Sequence, residues 1–127
     1  MYTRLLVLVF AVVFSSNFSF AQSNHASHDV KNVTLEQTPG AFSVQELTLT
    51  EGTYQFEIVN NNVGVDVGFV VAPSNDPEQH IQEAYVTELV KNNSSQKTNL
   101  VNLKEGEYIY FCPLNKTPQY KLTVKSE

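Results

Sequence analysis

Tyr108-Ile109-Tyr110-Phe111-Cys112-Pro113-Leu114-Asn115 is the stretch on which the fold turns. A run of aromatic and β-branched residues suits a pleated, half-buried surface, and the proline after Cys112 cannot continue a ladder. The run therefore reads as a β-strand that ends at Cys112. Cys112 is the only cysteine in the 127 residues, so it forms no internal disulfide. It shares a strand face with Tyr108 and Tyr110, where a thiol packs as a small hydrophobe.

Working outward, the same two-residue period recurs. Tyr120, Leu122 and Val124 alternate with polar residues and form a final strand. Upstream, Val101–Tyr110 parallels Leu47–Phe56: each reads strand, Glu-Gly turn, strand. The glycine supplies the backbone freedom such connections need. Tyr54, Phe56 and Ile58 mark a half-buried strand, and Val67–Val71 is a continuous apolar run, as in a strand buried on both faces. Val33 and Leu35 form another, followed by a Pro39-Gly40 turn. Phe42 and Val44 begin the next strand, and Leu47 and Leu49 continue it one step out of phase, which predicts a bulge or bend near Gln45-Glu46. Asp76-Pro77-Glu78-Gln79 has the form of a capped helix start, so a short helix is expected over 77–85. Val86–Val90 fits either its continuation or a short strand. Short strands punctuated by turns define an all-β chain, a Greek-key β-sandwich.

The N-terminus reads as a targeting segment. Arg4 precedes ten apolar residues, Leu5–Phe14, and Ser19-Phe20-Ala21 forms a small-x-small end. This predicts a signal peptide over 1–21, a flexible lead-in over 22–31 and one domain over 32–127. An uncleaved anchor is the alternative, but a spanning helix takes about 20 apolar residues. No membrane span is expected after cleavage. The formal charge of −5 becomes −6 when Arg4, the one arginine, is lost. An acidic chain without arginine excludes a nucleic-acid partner. The expected location is exported, periplasmic or extracellular, as a monomer.

Three features carry a resemblance to the cupredoxins, the blue copper superfamily. They are the repeated strand-Glu-Gly-strand unit at 47–58 and 101–112, the segment Val65-Asp66-Val67-Gly68-Phe69, and the terminal Tyr-x-Tyr-Phe-Cys-Pro with a short loop and last strand. The resemblance covers about residues 33–125. It implies a cupredoxin-like sandwich and a type I site of two imidazoles, a thiolate and a weak axial ligand. It places the first imidazole at or near Val65, the second within Asn115-Lys116-Thr117 and the axial ligand within Gln119-Tyr120-Lys121. Only Cys112 matches. Met1 is the one methionine and lies in the leader.

The functional expectation is thus an exported cupredoxin-like domain with degenerate copper ligands, a non-catalytic binding or accessory module. Its partner would be an envelope protein or small ligand, and it would need no cofactor. A blue copper electron-transfer protein, with copper as cofactor, is the first alternative. An envelope metal-handling protein using Cys112 and the tail histidines His25 and His28 is the second. His80 reads as a solvated surface residue on the expected helix. No Ser/His/Asp arrangement, phosphate loop or zinc spacing points to an enzyme.

Overall fold

A computed structural model of the chain describes residues 29–127. The readings made for the leader, for residues 22–28 and for His25 and His28 lie outside these residues. Nine strands follow in order: β1 (Val30–Thr38), β2 (Ala41–Phe42), β3 (Glu46–Thr50), β4 (Gly52–Asn60), β5 (Val70–Pro73), β6 (Ser95–Lys97), β7 (Val101–Leu103), β8 (Gly106–Phe111) and β9 (Tyr120–Lys125). β1 begins at Val30, so the last two residues of the expected lead-in already pair in a sheet.

The strands form two layers. One sheet runs β2-β1-β4, with β6 and β7 both paired to β4; the other runs β3-β9-β8-β5. Pairing is antiparallel except for β1 with β4 and β3 with β9. The core lies between the layers and is rich in rings. Phe42 packs against Phe69, Tyr110 and Tyr120, with centroids 6.1, 5.2 and 5.7 Å away. Phe69 also meets Phe56 at 5.2 Å.

The phase shift near Gln45-Glu46 has a larger cause than a bulge. Phe42 ends β2 in the first sheet and Glu46 begins β3 in the second, so the chain changes layers between them. Tyr110 secures this crossing by donating its hydroxyl to the Val44 carbonyl at 2.5 Å.

The two Glu-Gly repeats are inter-sheet corners. β3 to β4 passes from the second sheet to the first, and β7 to β8 passes back. Each corner is locked by the tyrosine after its glycine. Tyr54 donates to the Thr50 carbonyl at 2.6 Å, and Tyr108 to the Lys104 carbonyl at 2.8 Å. Both bonds reach four residues upstream, in the manner of a tyrosine corner. The corners also touch, since the Glu105 N–H donates to Glu51 Oε1 at 2.9 Å.

The helix expected over 77–85 does not form. A single 3-10 turn, Gln82–Ala84, stands in its place, and Ile81 before it is extended at ψ 103°. The chain here serves the sheet edge: the Ile81 N–H donates to the Val71 carbonyl at 2.8 Å. A helix would need that donor internally. Asp76–Gln79 closes as a turn, with the Gln79 N–H on the Asp76 carbonyl. Val86 and Val90 each make one antiparallel bridge, to Thr98 and Val67, which favours the strand reading of that segment.

Tyr110 is fully buried, and its phenol is pushed up to about 12 from 10.0, first by burial and then by Tyr120 and Glu46. A raised acid dissociates earlier in the unfolded chain. Its contribution is therefore intact below pH 10 and is lost as pH climbs through about 12, a total of roughly 2–3 kcal/mol. Urea unfolding followed from pH 9 to 12 is expected to show this fall, and Tyr110→Phe is expected to flatten it.

Candidate functional site

Cys112 lies just past β8, wholly buried. Its sulfur accepts two backbone N–H groups, from Gly68 at 3.3 Å and Asn115 at 3.4 Å. The loop after it is clasped at its base by Thr117. That hydroxyl accepts the Cys112 N–H at 2.9 Å, and the Thr117 N–H donates to the Cys112 carbonyl at 3.2 Å. This clasp narrows the loop to a compact turn and aims Asn115 inward.

Asn115 is the centre of the site. Its Nδ2 donates to the Thr38 carbonyl at 2.8 Å and to Gln37 Oε1 at 3.2 Å. Its Oδ1 accepts the Gly40 N–H at 2.8 Å. Gly40 holds φ at 75°, the left-handed conformation that the Pro39-Gly40 turn requires and that glycine adopts without a steric penalty. Gln37, fully buried, donates from Nε2 to the Gly68 carbonyl at 2.7 Å. Gly68 returns to the sulfur through its N–H. A closed ring of hydrogen bonds thus joins Gln37, Gly68, Cys112 and Asn115, and it ties three separate chain segments at one end of the sandwich. Among the described residues, no buried side-chain nitrogen or oxygen lacks a partner.

Sequence reasoning missed Gln37. The signal was present in its phase: 33, 35 and 37 share a β1 face, so the glutamine occupies the next inward position after Val33 and Leu35. Asn60 follows Tyr54, Phe56 and Ile58 in the same way and is buried beside it in register. Asn60 holds the Val65 and Val90 carbonyls through Nδ2. A polar residue in phase with a core face is a buried donor to be accounted for.

The other expected positions disperse. Val65 is 53% exposed, whereas the chain that reaches the sulfur is Val67-Gly68. Gln119 is exposed, and Tyr120 turns its ring into the core and accepts the Phe42 N–H on its hydroxyl at 3.2 Å. His80 is half-buried, not solvated. Its Nδ1 lies 2.7 Å from the Tyr85 hydroxyl, and its ring stands edge-on to Tyr85 and Phe111. Among the described residues, no three His, Cys, Asp or Glu side chains converge as a metal-binding group. A type I centre takes two imidazoles beside the thiolate. The side chains tied into the Cys112 loop are the amides of Gln37 and Asn115 and the hydroxyl of Thr117, and they do not fit that donor set.

The fold and this loop define the class of the protein. The family model for the cupredoxin-like domain matches residues 5–124, and the chain belongs to that family. Among solved structures it is similar to auracyanin B, with TM-score 0.60 and 19% identity over 76% of this chain and 89% of that one. It is also similar to auracyanin A, a blue copper protein of Chloroflexus aurantiacus, with TM-score 0.59 and 16% identity over 76% and 99%. A purple cupredoxin from Nitrosopumilus maritimus aligns with TM-score 0.51 and 17% identity over 73% and 99%. No curated protein matches the chain significantly. At these identities the structural likeness carries the fold alone. No helix among the described residues is long and apolar enough to cross a membrane.

Proposed function

We propose that the chain is an exported cupredoxin-family domain that works without type I copper, as a non-catalytic binding or accessory module of the cell envelope. The observation that carries this reading is the set of bonds made by Asn115. It stands three residues after Cys112, within the span where the family resemblance implies an imidazole. Its amide is committed on both sides, to Thr38 and Gln37 as donor and to Gly40 as acceptor. An amide so engaged works as a structural clasp, and it offers copper a poor ligand in place of an imidazole. The basic start, apolar run and small-x-small end of residues 1–21 support export. Blue copper electron transfer, the competing reading, draws on the family match, on blue copper fold neighbours and, of the expected ligands, on Cys112 alone.

The test is a Cu(II) titration of the protein and of Cys112→Ser, followed by visible absorbance and paramagnetic resonance. No intense thiolate-to-copper band is expected. A stable band that disappears in Cys112→Ser would overturn the proposal. Weak, colourless binding abolished by removing residues 22–29 would assign that metal to His25 and His28.

A further inference from the structure

β3 is the outer strand of the second sheet, and among the described residues no strand pairs with its free side. The other edges are engaged or short. The Val71 carbonyl of β5 takes the Ile81 N–H, the Lys97 carbonyl of β6 takes the Thr87 N–H, and β2 has two residues and β7 three. β1 shows a free side before β2 reaches it, on the same flank as β3, since Lys31 Nζ donates to Thr50 Oγ1 at 3.0 Å.

The pairing of β3 with β9 sets what this edge offers. Along a parallel ladder the backbone groups point alternately toward the neighbouring strand and away from it. The Glu51 N–H donates to the Lys125 carbonyl at 2.8 Å, so Leu47 and Leu49 also face β9. Glu46, Thr48 and Thr50 therefore direct their backbone groups outward. The Thr50 carbonyl takes the Tyr54 hydroxyl and keeps a second lone pair. The side chains of Glu46, Thr48 and Thr50 are exposed, and Leu47 and Leu49 are half-buried against the core. Such an unpaired edge is a template for another strand.

β3 is complementary to itself. Laid antiparallel on a second copy about a two-fold axis at Thr48, it sets Thr48 against Thr48, Leu47 against Leu49 and Glu46 against Thr50. Thr50 carries the Lys31 ammonium and stands beside Lys125 on β9, as Glu46 stands beside Lys121. Each Glu46 carboxylate then lies between lysines of both copies, twice in one symmetric interface. A slipped register would bring Glu46 against Glu46. Opposite charges that meet twice about one axis favour a second copy over an unrelated strand.

We propose that β3 pairs with β3 of a second copy and joins the two second sheets into one. This goes beyond the reading of the chain as a binding module and replaces the monomer expected from the sequence. A single edge of five residues belongs to the smallest class of interfaces, below about 1,200 Å², so the dimer is expected to dissociate on dilution.

The test is sedimentation equilibrium of metal-free protein from micromolar to millimolar concentration, with amide exchange followed by NMR. The mass is expected to rise toward that of two chains, and the Glu46, Thr48 and Thr50 amides are expected to gain protection in concentrated samples alone. Thr48→Lys sets two ammonium groups against each other at the axis and is expected to weaken the dimer about fivefold, whereas Thr48→Val is expected to keep it. Glu46→Lys is expected to weaken it about two- to fivefold, and Lys31→Glu added to Glu46→Lys is expected to recover most of that loss. Melting of dilute Thr48→Lys and Glu46→Lys is expected to match wild type, because both positions are exposed in the single chain. A protein still monomeric at millimolar concentration overturns the proposal. So does a dimer that these variants leave unchanged or whose edge amides stay unprotected. Protection that appears only when an extended peptide is added to a monomeric protein assigns the edge to a strand of another protein and overturns it too. A copper band defeats the proposed function and leaves this dimer standing, and a monomer does the reverse.

Discussion

Phe42→Ala is expected to lower the unfolding free energy by about 4 kcal/mol, in the range for removing a buried phenyl ring from a close-packed core. In a domain of this size that corresponds to a fall of about 15–25 °C in melting temperature. Phe42 belongs to a strand of only two residues, yet its ring touches Phe69, Tyr110 and Tyr120 across the sandwich. It therefore seals one layer to the other. Its backbone is pinned by pairing with Gln37 and by the Tyr120 hydroxyl, so the site has little freedom to collapse on the cavity. Phe42→Leu refills most of the volume and is expected to cost about 1 kcal/mol. Thermal and urea unfolding of both variants measures the difference; equal losses would show that the ring contacts carry no special weight.

Asn115→Ala is expected to cost about 3 kcal/mol. The substitution leaves the Gly40 N–H, the Thr38 carbonyl and Gln37 Oε1 without their common partner; Gln37 is buried, and an unsatisfied buried group costs about 1–3 kcal/mol, while water can relieve the half-buried Thr38 and the exposed Gly40 in part. Asn115→Asp separates this loss from simple loss of volume. The carboxylate still accepts from Gly40, but it sets a charged oxygen against the Thr38 carbonyl and Gln37 Oε1. It is expected to be as damaging as alanine at neutral pH and to recover in acid, where the protonated carboxyl donates one bond again. Urea midpoints at pH 7 and pH 4 show the contrast. Cys112, buried in the native fold, is expected to react slowly with thiol reagents there and many times faster in Asn115→Ala.

Comparing the sequence with the structure separates two kinds of information. The alternation of Tyr54, Phe56 and Ile58, and of Tyr120, Leu122 and Val124, reported strands directly, because the inward face of a half-buried strand must be apolar at every second position. The Leu47–Phe56 and Val101–Tyr110 repeats reported equivalent strand-turn-strand units, which the sheets make into corners. A tyrosine two residues past the glycine bonds back across the turn in both. The burial of Cys112 followed from its place in the aromatic run.

Residues 76–85 misled because a helix start is a local signal. Asp76 and Pro77 are compatible with a helix, but the exposed edge of β5 offered the Ile81 N–H a better acceptor in Val71. Propensity yields to such a contact, since intrinsic helix preferences differ by only about 0.7 kcal/mol per ordinary residue. His80 moved from an expected solvated face to a half-buried position against Phe111 for the same reason.

The sequence by itself determined the all-β class, the two strand-Glu-Gly-strand units, the family resemblance and the lone thiol, because each depends on periodicity or on residue type; that the two units are inter-sheet corners was decided by the sheets. Only the tertiary structure decided that Gln37, Gly68 and the Cys112–Asn115 loop form one ring, since these three segments stand far apart in the chain and meet only in the folded sandwich. Long-range contacts of this kind leave no period in a sequence. They arise where separate segments must satisfy each other's buried polar groups or cover each other's apolar surface.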